Sequence, residues 1–393
     1  MLKYFYRYFH QIKVMLLICL LLLVAISLGQ SQPVFDEGLT KFTVTLYTKL
    51  YETNPKENVV VSPYSIRLAL GILNDGITDE KTKAMVKKKL RLSDEVNLQT
   101  EFSKYKNNKF IKVANNFLVS NDRTLSSSFQ NLLSKYGLTP TRIGIDNQNV
   151  VLEVNNWIKK ASDNLINQII TESDIPANLD MILLNAITFK ANWENQFDEA
   201  KTKKGKFTDI DGKIHKIDMM EIIEAEFRYC SFKRTAILEL PYQYQADAVM
   251  WIVLPNSNSS LGETLNVINW NFLNSVERKL ETIEMAKIKV PKFTIENKID
   301  IKATLSALGM KKLFSKGSLP VYENEESSID NMKQNVIIKV NERGTEAGAA
   351  TTVFATSRSI PVDKFICNRP FLYMILTKSS KQILFIGHYV KPQ

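Results

Sequence analysis

The chain has 393 residues, 45% of them hydrophobic and 23% charged, with a formal net charge of +10. That apolar content supports a large packed core and excludes an intrinsically disordered polymer. The modest basic excess suits solubility and weak polyanion contact, and it excludes a dedicated nucleic-acid binder.

At the N-terminus, Lys3, Arg7 and Lys13 precede an apolar run from Met15 to Leu28 and then small Gly29. The run is shorter than the roughly 20 residues that cross a bilayer, so residues 1–29 are predicted to be a secretory signal peptide and not a membrane anchor. Residues 30–393 then form one secreted, extracellular, monomeric domain. Cys19 leaves with the leader, and two cysteines are too few to staple a secreted chain of this size. Cys230 and Cys367 lie in apolar, strand-like runs and are expected to be buried free thiols.

Phe35, Leu39, Phe42, Leu46 and Leu50 recur at three- and four-residue steps behind a capping Asp36, which predicts an opening helix. Ser62-Pro63 supplies a cap and a first-turn proline for a second helix over "YSIRLALGIL". The basic stretch 79–92 reads as an amphipathic helix with Ala84, Met85 and Leu92 toward the core and its lysines in solvent. Further helices are predicted over 126–136, stopped by Gly137, and over 150–164. "KIDIKATLSALGM" reads as a last helix ending at Gly309. Between and after these come apolar runs of strand type, among them "FIKVANNFLV", "MILLNAITF", "TAILELPY", "DAVMWIVLP", "NVIIKV", "FLYMILT" and "QILFIGHYV". Asn258 opens a sequon, Asn258-Ser259-Ser260, in a polar stretch where a glycan fits. Helices fill the first half and strands the second, with no repeat and no linker, so the fold class is α+β in a single domain.

Catalytic signatures are absent from the sequence. Beyond the leader only His215 and His388 remain, and neither belongs to a zinc-protease motif; no nucleophile elbow, phosphate loop or dinucleotide turn occurs. His388 is read as a structural histidine at the polar edge of an apolar strand. The chain is therefore expected not to be an enzyme, and to hold no metal and no cofactor.

The segment "NERGTEAGAATTVFATSRSIPVDKF", residues 341–365, carries the functional reading. As a strand it would place Thr345, Ala347, Ala349, Thr351, Val353 and Ala355 on one face, all small or β-branched and uncharged. Such a face can enter a core without burying an ion. A permanently exposed loop needs no charge-free face, and a permanent strand carries fewer Ala and Gly.

The stretch resembles the reactive-centre loop of the serpins. An inhibitory hinge in that family reads Glu, any residue, Gly, Thr or Ser, Glu, then small residues and Thr. Here it is Glu342, Gly344, Thr345, Glu346, Ala347, Gly348, Ala349, Ala350 and Thr351. By the family's spacing the cleaved bond is Arg358-Ser359. "NVVVSPYSIRLALGIL" resembles the second serpin helix and puts Ser62 and Ser65 at the shutter, with Asn185 from "LLNAITFKANW" and Gln334 where histidine is frequent. The glutamine forms the same kinds of hydrogen bond but does not titrate near neutral pH. Trp193 resembles the breach tryptophan, and Lys292 the lysine that pairs with the hinge glutamate. The resemblance implies a serpin fold with three β-sheets, about nine helices and an exposed reactive-centre loop at about residues 342–363. It also implies a suicide inhibitor whose partner is a trypsin-like serine protease, with a non-inhibitory carrier or chaperone as the alternative.

Overall fold

The computed structural model describes residues 35–93, 97–105, 108–144, 147–345 and 363–392. The proposed leader, hinge residues Glu346 to Thr351, and the Arg358-Ser359 bond lie outside the described residues.

Asp36 caps helix α1 (Glu37–Thr53) by accepting from the Leu39 N–H, and Phe42, Leu46 and Leu50 are buried as their spacing predicts. Strand β1 (Val59–Val61) leads into α2 (Pro63–Gly76), whose cap is Ser62. Helix α3 (Glu80–Leu90) buries Thr82, Val86 and Leu90, whereas Ala84 is exposed and Met85 and Leu92 are half-buried. The core-facing stripe thus differs from the predicted one, because a lysine-rich helix offers few apolar residues from which to fix its phase.

After α4 (Leu98–Ser103) and β2 (Ile111–Ser120), α5 (Ser127–Lys135) stops before Gly137, whose φ of 67° admits no side chain comfortably. Strand β3 (Thr141–Ile143) precedes α6 (Asn147–Ala161), which begins and ends three residues earlier than predicted. It ends there because Asp163 and Asn164 turn left-handed and return their N–H groups to Lys160 and Lys159.

Strands then dominate: β4 (Met181–Phe189), β5 (Ala191–Asn192), β6 (Lys203–Thr208), β7 (Ile214–Phe232), β8 (Thr235–Pro241) and β9 (Ala248–Pro255). Helices α7 (Leu261–Val267) and α8 (Trp270–Lys279) intervene before β10 (Glu281–Pro291) and β11 (Phe293–Asp300). The last helix, α9 (Ile301–Leu305), starts later than predicted and runs on as a π turn over Ser306–Met310, where Gly309 with φ of 88° breaks it as the sequence predicts. Lys298 to Asp300 belong to β11 because they pair with Asn335, Gln334 and Lys333, and the Asp300 carboxylate caps the helix instead of joining it. Strands β12 (Leu319–Tyr322), β13 (Glu325–Ser327), β14 (Asn331–Val340), β15 (Gly344–Thr345), β16 (Lys364–Ile366), β17 (Phe371–Thr377) and β18 (Ile383–Tyr389) complete the order.

Among the described residues there are nine α-helices and three sheets, an α+β arrangement. The nine-stranded sheet runs β1-β18-β17-β9-β8-β7-β10-β16, with β6 on β7. The seven-stranded sheet runs β3-β2-β4-β14-β15-β5, with β11 on β14, and β12 pairs with β13. Every residue of β17 and β18 is buried, which explains why both read as continuous apolar runs instead of alternating ones. Phe189, Tyr242, Phe293, Phe371 and Tyr373 share one buried cluster fed by both large sheets.

Cys230 and Cys367 are buried and unlinked; burial pushes the Cys230 thiol up to about 11 and raises that of Cys367 well above the ordinary thiol value. His388 is not at a polar edge: it is fully buried in β18, with Nδ1 2.6 Å from the Tyr47 hydroxyl, because β1 and α1 cover that strand.

Candidate functional site

Three strands of the seven-stranded sheet bring Asn115, Asn185 and Gln334 to one level, as cross-strand partners on β2, β4 and β14. Beneath them the capped start of α2 presents Ser62 and Ser65. The Gln334 side chain accepts from the Ser62 N–H at 2.9 Å and donates to Ser65 Oγ at 2.9 Å and Asn185 Oδ1 at 2.6 Å. Ser65 Oγ also donates to Asn185 Oδ1 at 2.8 Å, and Asn185 Nδ2 to Asn115 Oδ1 at 2.8 Å. Ser62 Oγ donates to the Leu384 carbonyl of β18 at 2.6 Å. The four residues singled out in the sequence therefore form one buried network that ties β4 and β14 to α2 and to the second sheet. Asn115 belongs to it and was not anticipated; on a strand whose neighbour is also asparagine, its facing gives no sequence signal.

Through this level β4 and β14 pair directly and in parallel, from Ile182 opposite Asn331 to Thr188 opposite Ile337. Beyond Thr188 the two strands are separated by a third. After a turn at Asn341 to Arg343 the chain doubles back as β15, so that Thr345 pairs with Val340 on one side and Ala191 on the other, and Gly344 pairs with Asn192. Gly344 has φ of 152°, and a Cβ there would lie 2.2 Å from the Ala191 carbonyl oxygen. Only glycine allows the two backbones to approach this closely.

Side chains hold the turn. Trp193 receives it twice: its backbone N–H donates to the Arg343 carbonyl at 2.8 Å, and its indole Nε1–H to the Asn341 carbonyl at 3.0 Å. The indole stacks on Tyr242 at 4.3 Å, and the Tyr242 hydroxyl lies 2.8 Å from Thr345 Oγ1. Thr345 is only 1% exposed, so the inward face read from the sequence begins as predicted at its first residue. Glu342 is buried, 3.0 Å from Lys292 Nζ, and accepts from Thr202 Oγ1 at 2.9 Å. Burial works against the Glu342 carboxylate, but its own backbone N–H, Lys292 and Thr202 together hold it below the ordinary glutamate range. Tyr242, Thr202 and Glu199, which pairs with Arg343 at 2.9 Å, complete the clamp. None of the three is legible in the sequence, since they come from segments with no pattern pointing at residue 342.

The far flank is anchored too. The Asp363 carbonyl accepts from Ala286 N at 2.9 Å, and β16 runs parallel to β10. The segment between Thr345 and Asp363 thus joins two anchored ends on different sheets. Asn258 is exposed in the turn after β9, and His215 is engaged by Asp209 at 2.6 Å. Among the described residues no helix is long and apolar enough to cross a membrane.

Comparison with known proteins matches this arrangement. Residues 37–392 match the family model described as serpin (serine protease inhibitor). Human neuroserpin is 28% identical over 400 residues, with 96% of each chain covered. Native protease nexin-1 with heparin superposes with a TM-score of 0.79 at 25% identity, over 91% of this chain and 98% of that one. Thyroxine-binding globulin in complex with thyroxine shares the fold, with a TM-score of 0.80 at 22% identity, over 91% and 99%.

Proposed function

The chain belongs to the serpin family, and from that premise we propose that it is a secreted suicide-substrate inhibitor of trypsin-like serine proteases, cut at Arg358-Ser359. The observation that carries the reading is the position of β15: Gly344 and Thr345 lie between β5 and β14 as the first two residues of an added strand. The family's name supports protease inhibition; the arginine supports a protease whose specificity pocket is acidic.

In the proposed reaction the protease serine Oγ attacks the Arg358 carbonyl, and the peptide bond to Ser359 breaks. The new Ser359 amine takes the proton, and Arg358 stays esterified to the protease. The freed segment then continues β15 downward, parting β4 from β14 and passing the Gln334 and Asn185 level. From Thr345 to Arg358 an extended chain at about 3.3 Å per residue carries its end roughly 45 Å. New ladder bonds of about 1 kcal/mol each, with burial of small side chains, give on the order of 10 kcal/mol to distort the attached enzyme. Residues 1–29 serve as the leader, residues 30–393 as the working monomer, and Asn258 as a glycan acceptor.

Incubation with trypsin is expected to yield a covalent complex that survives boiling in SDS, and Arg358→Ala to abolish it. Quantitative loop cleavage without any adduct would instead support a carrier.

A further inference from the structure

The turn after β9, the hairpin between β7 and β8, and the link from β16 to β17 enclose an open depression of ≈ 530 Å³. Its lining is Arg234, Asn256, Ser257, Asn258, Ser259 and Arg369, polar throughout and with two arginines. Among the described residues no carboxylate lies within ion-pair distance of either guanidinium. Elsewhere Arg123, Arg228 and Arg343 each have such a partner.

Arg369 is fixed in place: Nε donates to the Pro255 carbonyl at 2.8 Å and Nη1 to Asn368 Oδ1 at 3.2 Å. A guanidinium has five N–H groups, so donors remain for another acceptor. Its charge is half-buried, and that burial lowers its pKa from the ordinary arginine value. Ser259 Oγ is shielded from solvent and has no hydrogen-bond partner among the described residues, an uncommon state for a hydroxyl. Its backbone N–H donates to the Asn256 carbonyl at 2.9 Å, and Asn256 N donates to the Arg234 carbonyl at 2.8 Å, which knits the rim together. Lys233 and Arg234 form the two-residue hairpin with φ of 46° and 60°, a conformation that favours Asn-Gly. Basic residues stand there in spite of the backbone preference, and such outliers collect at functional positions.

We propose that this depression binds a tetrahedral oxyanion, sulfate or phosphate, free or as a monoester. Arg234 and Arg369 supply charge-assisted donors and the Ser259 hydroxyl a third. Arg369 follows the Arg358-Ser359 bond in the chain while Arg234 and Ser259 precede it. The bound anion would therefore pin the C-terminal piece to the body after cleavage. That consequence rests on the inhibitory reading; the binding does not.

The test is equilibrium dialysis of the full chain, with its glycan and after enzymatic removal of it, against radiolabelled sulfate and phosphate, at constant ionic strength set with chloride. One saturable site is expected for each ion. Arg234→Gln should weaken it about tenfold and Ser259→Ala about threefold, with unfolding midpoints unchanged because neither side chain holds a partner among the described residues. Competition by glycerol phosphate marks an esterified ligand, and its failure beside tight inorganic binding marks the free ion; both outcomes uphold the site. Lack of saturable binding, or binding that survives both Arg234→Gln and Arg369→Gln, overturns it. Protease trapping is read separately, so loss of either property leaves the other standing.

Discussion

Thr345 shows how much one side chain can decide. Its hydroxyl meets Tyr242 in a site with no room for charge, between two strands that press on it from both sides. Thr345→Arg would bring an ion into that site at a cost of several kcal/mol. The variant is expected to be cleaved by trypsin as a substrate, with covalent complex reduced at least tenfold on SDS gels; undiminished trapping would refute the inward assignment. His388 sets a second residue-scale expectation. Burial lowers its pKa to about 4 from 6.5, although the nearby carbonyl groups of Glu57 and Asn54 pull upward. The unfolded chain therefore binds a proton that the folded chain refuses. Stability contributed by the neutral ring is complete above pH 6.5 and declines as pH falls toward 4, by about 3 kcal/mol in all. Urea unfolding between pH 7 and 4 should show that slope, and His388→Gln should flatten it.

Elements differ in how openly the sequence announces them. Asp36 and Ser62-Pro63 are legible because a cap is a local contract between a side chain and the next turn, and both act as read. The boundary between β11 and α9 is not legible, because Lys298 to Asp300 become strand only through partners on β14 far along the chain. Strand β6 and the start of β7 are hidden for another reason: "KTKKGKFTDIDGKIHKID" is lysine-rich and buries little besides Phe207 and Ile217. At the site the sequence pattern supplied Ser62, Ser65, Asn185 and Gln334 through resemblance, whereas Asn115, Thr202 and Tyr242 join only by tertiary placement. The network under β4 and β14 is where element-scale energetics concentrate. Gln334→Ala strands the Ser62 N–H and removes donors from buried acceptors, so unfolding by urea should register a loss of about 2–4 kcal/mol.

For the whole molecule, the proposed mechanism requires that the intact fold, with β15 wedged between β5 and β14, is short of its lowest free energy. Extending that strand adds ladder bonds on both sides, so loop-cleaved protein is expected to melt on the order of 10–20 °C above the intact form in calorimetry. Coincident transitions would leave no driving force for trapping.

The order of the nine-stranded sheet also governs how the molecule is made. Strands β18 and β17 stand second and third from its β1 edge, so two strands from far along the chain lie between β1, the first in sequence, and β9. Until β17 and β18 have been synthesised, β9 and β1 each face an unfilled place, with Trp251 and Val253 unpaired on one side. A nascent chain that lacks β17 and β18 therefore carries unpaired strand edges, the kind of surface through which incomplete chains aggregate.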